Sequence, residues 1–467
     1  MRNSLRPINR LHPEVIALCA TFISDADPKP IVPLTHVCRY WRRAITSSPR
    51  NWASIGSGWK GLVPLCLERA GAVPLTVDIN VSHIKRNEVF HQALLPHIHR
   101  ITHLSLKGYS LIEDVANDPA GLFASPMPNL TSLELEQTKE PAESLPSDEL
   151  PVPPLLQDTS KLKSLHLTQT PLYPPVFSIT SLVELKLVGY TTPLRFEKLI
   201  EFLHSNPDLE LVVLDLQFAE GLVQTSPERK VSLLQLRLLE FTCGNAKDAR
   251  RLLSCVSLRR GIHIAIQGSQ SNPCGDLASF LPNPPTHIQQ LLTPVTAIKY
   301  WNAPKWRHVV GGNGRLSFRS HKSPSKMYDE FKLFVTEAVR EFHLNVERLD
   351  PGSGRLSWPL GRLPALEVLA FFEAQISPGS LSILAKEQVL CPSLKTIAFF
   401  DCEITGDVIR ELGEVLAKRR DSAAARLYQV VIVNNTRALP DLQLIHQLRK
   451  FVPRVDVGVG EELPDLL

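Results

Sequence analysis

Apolar residues in the first sixty positions recur at the spacing of α-helices. Leu11, Val15, Leu18 and Phe22 follow one another at intervals of three or four residues, with Ile16, Cys19 and Ile23 between them. This spacing predicts an amphipathic helix that opens at Pro13, because proline lacks only an amide that the first helical turn would leave unpaired. Two aspartates and two prolines in residues 25–30 end it.

A second amphipathic helix is predicted from about Leu34 onward. Its apolar stripe holds Leu34, Val37, Cys38, Trp41 and Ile45. Ser47-Ser48-Pro49 ends this helix, and Trp52 and Ile55 add apolar anchors beyond it. A helical unit of about 50 residues buries little surface, so we expect it to dock on a partner rather than to stand alone.

A different pattern, apolar-x-x-apolar-x-apolar, recurs through the remaining four hundred residues. It predicts one short strand per copy, with a helix or irregular return between copies. The copies begin at Ile101, Leu130, Leu162, Leu182, Leu211, Leu236, Val295, Leu366, Leu394 and Leu427, with a degenerate one around Ile264. From Leu104 to Ile298 the middle positions lie about 28 residues apart on average, within the range of leucine-rich repeats. The repeats lack a consistent asparagine, and leucine-rich strands of any α/β protein remain the alternative.

The composition excludes several classes of protein. Hydrophobic residues make up 43% and charged residues 21%, so the chain is not broadly disordered. The net charge of +4 is too small for a protein that mainly coats nucleic acid or an anionic membrane, and no run of ~18 apolar residues occurs. The eight cysteines form no C-x-x-C pair, which argues against zinc-ribbon and disulfide frameworks. We expect reduced thiols and a cytoplasmic or nuclear location, with no membrane or nucleic-acid partner.

One long segment contains no acidic residue. No Asp or Glu occurs between Asp276 and Asp329, and basic residues there alternate with aromatic ones. This favours a patch that captures an acidic or phosphorylated segment of a partner protein, here called the client. A solvated insertion whose charge is balanced elsewhere remains the alternative. The candidate client-binding residues are Lys299, Trp301, Lys305, Arg307, Arg315 and Arg319.

The amino-terminal motifs resemble an F-box. Three strings carry the resemblance, in order: Leu11-His12-Pro13-Glu14, then Val37-Cys38-Arg39-Tyr40-Trp41-Arg42, then Ser48-Pro49-Arg50-Asn51-Trp52. With the apolar helix and strand that follow, the match covers about residues 8–80 and is similar to the version found in mushroom-forming fungi. It departs from that pattern at His12, where a proline or another small residue is common, and at the proline-rich insert 24–33.

The resemblance implies that this segment binds the Skp adaptor of a cullin–RING ubiquitin ligase. The residues it implies at the adaptor are Leu11, Pro13, Glu14, Ile16, Leu34, Val37, Cys38 and Trp41. Val15, Leu18, Phe22 and Ile45 are expected in the module's own core instead.

Motifs of enzyme chemistry are absent from the sequence. There is no G-x-S-x-G, H-E-x-x-H, phosphate-binding G-x-x-x-x-G-K or dinucleotide fingerprint, so we expect neither catalysis nor a cofactor or metal. The predicted function is a substrate-recognition subunit of a cullin–RING ubiquitin ligase, whose F-box binds the Skp adaptor and whose repeats bind an unknown client. A ligase-independent interaction scaffold is the alternative.

The predicted fold is α/β, with a small helical F-box followed by an irregular leucine-rich-repeat-like solenoid with a parallel sheet. The predicted divisions are 1–60 for the F-box, 61–98 for a linker helix and first strand, 99–290 for the array, 291–330 for the basic insertion, 331–457 for the rest of the array and 458–467 for an acidic tail.

Overall fold

The structure is a computed structural model of the chain. It describes residues 10–24, 31–56, 61–80, 92–108, 125–138, 159–170, 174–194, 196–218, 230–243, 246–259, 261–268, 280–282, 297–302, 306–311, 316–321, 336–351, 356–385, 390–421, 426–434 and 442–458. Most of the proline-rich insert and nearly all of the acidic tail expected at 458–467 lie outside these residues.

The chain divides into two compact units, Met1–Gln235 and Leu236–Leu467. The first unit opens with three short α-helices and a 3-10 helix at Pro49–Trp52. The α-helices are α1 (Pro13–Ser24), α2 (Ile31–Thr35) and α3 (Arg39–Thr46).

The second predicted helix is in fact two helices. Cys38 adopts an extended conformation with φ −163°, so α2 and α3 cannot be continuous. The amides of His36 and Val37 bond to the carbonyls of Pro33 and Leu34, which closes α2 with tight turns. The apolar spacing from Leu34 to Ile45 therefore predicted the helical character but missed the break at Cys38.

A parallel sheet follows the helical segment in the first unit. Its seven strands pair in chain order, each with the next. They are β1 (Ser54–Gly56), β2 (Leu75–Asn80), β3 (Ile101–Gly108), β4 (Ser132–Gln137), β5 (Ser164–Thr168), β6 (Glu184–Leu194) and β7 (Leu211–Phe218). Helix α4 (Val63–Ala70) connects β1 to β2, and α5 (Phe196–Ser205) connects β6 to β7. 3-10 helices occupy Leu95–Arg100 and Pro174–Ser178, and β8 (Val231–Leu233) lies near the end of the unit.

The register of this sheet stacks the repeat positions on one another. One apolar residue from each of the strands β2 to β7 forms a continuous row of paired residues, and all of them are at most 2% exposed. From β3 to β6 these are the middle residues of the repeat copies, whereas β7 contributes Val212, two residues before the expected middle position Leu214. The row runs Val77, Leu104, Leu133, Leu165, Leu185 and Val212. Each strand thus buries one face against the returns of its own and neighbouring repeats, as in a leucine-rich-repeat-like array.

Hydroxyl and amide side chains link successive repeats. The hydroxyl of Thr102 donates to the carbonyl of Leu75 at 3.2 Å, and that of Thr131 donates to the carbonyl of Thr102 at 2.9 Å. Buried Asn206 accepts from the Leu182 amide at 3.0 Å, and its amide nitrogen donates to Ile179 and Phe202 carbonyls. In this repeat one asparagine satisfies three backbone groups that packing would otherwise leave unpaired.

The second unit contains a ten-stranded sheet among its described residues. The strands lie in the spatial order β9, β11, β14, β13, β12, β15, β17, β19, β21, β22. Their bounds are β9 (Leu238–Cys243), β11 (His263–Gly268), β12 (Ala297–Asn302), β13 (Trp306–Gly311), β14 (Leu316–His321), β15 (Glu341–Val346), β17 (Val368–Phe372), β19 (Thr396–Phe400), β21 (Gln429–Val433) and β22 (Arg454–Gly458).

Short strands and helices complete the second unit. Strands β16 (Arg348–Leu349), β18 (Gln375–Ile376) and β20 (Glu403–Ile404) form a separate parallel sheet. The other elements are β10 (Val256–Leu258), α6 (Ala246–Cys255), α7 (Ser357–Leu360), α8 (Gly406–Asp421), α9 (Leu442–Leu448) and 3-10 helices at Thr336–Ala338 and Ser382–Ala385.

The prediction of a parallel sheet is confirmed within each unit for every described main-sheet strand except β13. This strand runs antiparallel to both β12 and β14. Only residues 303–305 and 312–315 connect the three strands, and such short links cannot carry a parallel crossover. The basic segment therefore contributes an antiparallel meander to the sheet.

Cysteine reactivity provides a first test of this packing. Burial raises the pKa of Cys391 to about 12 and the pKa of Cys66 and Cys255 to about 11, whereas Cys19 is exposed. In the native chain we expect iodoacetamide to modify Cys19 fast and the three buried cysteines only after unfolding, because the thiolate is the nucleophile. Peptide mass spectrometry against labelling time measures the four rates. Fast native labelling of Cys391 would contradict the packing around α8.

Candidate functional site

Helix α1 is apolar on two opposite faces. One face, with Ile16, Ala17 and Ala20, packs into the core of the helical segment and is at most 9% exposed. The opposite face carries Val15 and Phe22, which are 42% and 72% exposed. A helix on the surface of a soluble protein usually has a polar outer face, so this second apolar face suggests a contact with a partner.

The exposed apolar side chains of the protein are concentrated in this segment. Of the nine exposed large hydrophobic residues in the described part of the chain, seven lie between residues 11 and 40. We call six of them the exposed apolar face: Leu11, Val15, Leu18, Phe22, Val37 and Tyr40. Clustered apolar exposure of this kind marks interaction sites more often than single exposed residues do.

Three of the four residues expected in the core of the helical segment are on its surface. Val15, Leu18 and Phe22 were expected inside the helical segment, but they are exposed. Only Ile45 is buried as expected. The small side chains of Ala17 and Ala20 let α1 pack closely with its neighbours on one side, and this leaves the larger residues facing outward.

The eight residues that the resemblance implies at an adaptor differ in their exposure. Leu11, Pro13, Glu14 and Val37 are exposed, and Leu34, Cys38 and Trp41 are half-buried. Ile16 is 1% exposed and belongs to the core of this segment, so it can only support the face from beneath. Val15, Leu18, Phe22 and Tyr40 were not among the eight, although their helical spacing with Leu11 and Val37 was visible in the sequence.

The helical segment is fixed to the start of the repeat array through Trp52. Its indole nitrogen donates to the carbonyl of Ile45 at 3.1 Å, and the guanidinium of Arg69 in α4 stacks 4.3 Å from the ring centre. Beside it, the hydroxyl of Thr21 in α1 donates to the side-chain oxygen of Asn51 at 2.7 Å. These contacts hold α1, α3 and α4 in a defined arrangement, so the exposed apolar face has a fixed position on the first unit.

The first unit also has a polar sheet face, opposite its core. It consists of the half-exposed residues that alternate with the buried ones along β3 to β6. Lys107 and Glu136 pair at 3.6 Å, and the Ser164 hydroxyl donates to Glu184 at 3.2 Å. Burial lowers the pKa of His166, which lies 3.6 Å from Glu184. The face is accessible and carries both charge signs.

The corresponding face in the second unit is apolar and closed. Ala370, Ala398, Val431, Phe400 and Val433 lie on it, and all five are at most 8% exposed. Phe372 stacks on Phe400 with ring centres 4.7 Å apart. This part of the second unit therefore offers no open polar surface, in contrast to the polar sheet face of the first unit.

The candidate client-binding residues fall in the antiparallel meander. Lys299 and Trp301 lie on β12, Arg307 on β13 and Arg319 on β14. The backbone of His308 pairs with both Trp301 and Arg319, whereas Arg307 pairs with Asn302 in the adjacent row. Lys305 and Arg315 lie outside the described residues. The client-binding role of this set stays a prediction.

The chain is similar to known proteins in structure and not in sequence. No protein-family model matches the sequence. No curated protein matches it either. Among solved structures, a leucine-rich-repeat protein of Leptospira interrogans is similar over 89% of this chain and 91% of its own, with 13% identity and a TM-score of 0.35. The TLR13–ssRNA13 complex is similar over 87% of this chain and 54% of its own, with 13% identity and a TM-score of 0.32. The repeat assignment rests on the strand register above and not on these scores.

None of the described helices has both the length and the hydropathy that crossing a bilayer requires. No group of three or more His, Cys, Asp or Glu side chains among the described residues is arranged to hold a metal ion.

Proposed function

We propose that this chain is the substrate-recognition subunit of a cullin–RING ubiquitin ligase. Its helical segment binds a Skp-type adaptor, and its repeat array binds a client protein. The observation that carries the proposal is the exposed apolar face on α1 and around the starts of α1 and α3. It lies in the segment whose sequence resembles an F-box, and three of its members, Leu11, Val37 and Tyr40, lie within the strings that carry the resemblance.

The energetics of this face favour a partner. Leu18 is 56% exposed, Phe22 72% and Val37 53%, so water covers much apolar surface in the free chain. Burying a fully exposed side chain of this kind contributes roughly 1.5–3 kcal/mol, so covering the part that is still exposed contributes about 1–2 kcal/mol each. Three of them offset part of the cost of association, and the other members of the exposed apolar face add to this contribution.

A client would be bound by the repeat array. In the first unit the polar sheet face is open, with Lys107, Glu134, Glu136, His166 and Lys186 half-exposed along the four strands β3 to β6. Such a surface supplies hydrogen-bonding and charged groups at fixed spacing, the requirement for specific recognition. The ligase then acts by proximity, because a bound client has a high effective concentration of lysines near a ubiquitin-loaded enzyme. The receptor itself needs no catalytic residue for this role.

The decisive experiment measures binding of a purified Skp-type adaptor to the purified full chain. We expect Leu18→Asp to weaken adaptor binding at least 100-fold, because a carboxylate would be buried without a partner in an apolar interface. Leu234→Asp is the matched control, since Leu234 is 57% exposed and Leu18 is 56% exposed. Isothermal titration calorimetry gives both affinities.

A second readout uses the native thiol of Cys19, which is exposed on the same side of α1. If the adaptor covers the exposed apolar face, it slows alkylation of Cys19 in the complex. Equal adaptor affinity for the Leu18→Asp variant and the unaltered chain, or full alkylation of Cys19 in a saturated complex, would refute the docking assignment. Adaptor binding without recruitment of a cullin would favour the ligase-independent scaffold.

A further inference from the structure

We propose that Tyr40 is a positioning residue whose hydroxyl holds Leu11 in the geometry that the exposed apolar face presents to its partner. This inference rests on the proposed function and adds a residue that the F-box resemblance did not assign. Its basis is a single long-range contact. The Tyr40 hydroxyl donates to the backbone carbonyl of Leu11 at 2.7 Å, which joins α3 to the chain that leads into α1.

The contact lies at a part of the face that α1 does not include. Leu11 precedes α1, which begins at Pro13. The first turn of α1 is already anchored by the His12 carbonyl, which accepts the amides of Val15 and Ile16 at 3.0 and 3.2 Å. Val15, Leu18 and Phe22 therefore keep their places without Tyr40, whereas Leu11 lies before the helix and is held by the Tyr40 hydroxyl.

Tyr40 is itself well fixed for this task. It lies in the first turn of α3, and two residues later the Arg42 guanidinium donates to the carbonyl of Thr35 at 2.9 Å. The amide of Arg42 also bonds to the Cys38 carbonyl at 2.9 Å. The start of α3 is thus anchored to α2, and a hydroxyl on it can order the neighbouring segment. Ordering before binding reduces the entropy that association must otherwise lose.

The test removes the hydroxyl and keeps the ring. We expect Tyr40→Phe to lower the affinity for a purified Skp-type adaptor by about 3- to 10-fold, the range of one net hydrogen bond. The melting temperature should change little, because the bond is exposed and water can replace it in the free chain. Hydrogen–deuterium exchange should become faster in the peptide that spans residues 10–13 and stay unchanged in α8. Tyr428→Phe, at an exposed tyrosine of the second unit, is the matched control.

The outcomes separate this inference from the proposed function. Unchanged exchange at residues 10–13 in Tyr40→Phe overturns the positioning role, whatever the adaptor does. Faster exchange with unaltered adaptor affinity overturns it as well, and leaves the proposed function standing if Leu18→Asp abolishes binding. A large fall in melting temperature would assign Tyr40 a general structural role instead. Failure of the unaltered chain to bind adaptor would refute the proposed function and the positioning role together.

Discussion

Replacing Arg419 by Met is expected to lower the free energy of unfolding of the second unit by roughly 2–4 kcal/mol. Arg419 lies in the last turn of α8 and is 2% exposed, although its neighbours Lys418 and Arg420 are exposed. Its guanidinium donates to the carbonyls of Leu384 at 3.3 Å, Leu390 at 3.0 Å and Cys391 at 2.8 Å.

The size of this effect follows from what the substitution leaves behind. Met occupies a similar volume, so the packing term is small, but it donates no hydrogen bond. The three carbonyls then lose the donors that satisfy them in a largely buried site. Burial lowers the pKa of Arg419 because it removes water from the charged guanidinium. The three carbonyls replace that water as hydrogen-bond partners.

The matched control is Lys418→Met, one position earlier on the same helix turn and exposed. Hydrogen–deuterium exchange of α8 across a urea series measures the effect locally, because a chain of two units does not justify a single two-state fit. The prediction requires a clear shift for Arg419→Met and almost none for Lys418→Met. Equal shifts for the two variants would show that the buried contacts contribute nothing to stability.

The sequence predicted the strands well, because their pattern reports directly on burial. All ten copies of the apolar-x-x-apolar-x-apolar pattern coincide with strands, and the degenerate copy is β11. Two strands that were missed carry the same pattern, with Phe342 and Leu344 in β15 and Val455 and Val457 in β22. The sequence at the end of β13 and after it, Gly311-Gly312-Asn313-Gly314, is also a hairpin signal, in agreement with the antiparallel pairing of β13 and β14.

The candidate site was predicted less completely, because hydropathy does not say which side of an apolar helix is covered. All of Val15, Ile16, Leu18 and Phe22 are apolar, and only tertiary packing buries Ile16 and exposes the others. Arg419 is a similar case. Within the run Lys418-Arg419-Arg420 it looks like a solvated cation at the end of a helix. Its buried partners belong to residues 384–391, about thirty positions earlier, which no local pattern reveals.

Replacing Trp52 by Ala is expected to destabilise the helical segment by roughly 3–5 kcal/mol and to abolish adaptor binding with it. Trp52 is 2% exposed and is among the largest fully buried side chains of the described chain. The substitution leaves a cavity beneath α3, removes the bond to the Ile45 carbonyl and leaves Arg69 without its aromatic partner. The exposed apolar face then loses its support, although none of its own side chains has changed.

Trp52→Phe separates the cavity from the hydrogen bond. It keeps most of the ring, and the Ile45 carbonyl still accepts from the side-chain amide of Asn51 at 3.3 Å, so we expect a loss of only about 1–2 kcal/mol. Exchange in α1 and α3 should become faster in Trp52→Ala, while exchange in α8 stays constant and shows that the second unit remains folded. Leu18→Asp should lose adaptor binding with exchange in α3 unchanged, because it alters the surface and not its support. Adaptor affinity that survives Trp52→Ala would mean that docking does not depend on this helical arrangement.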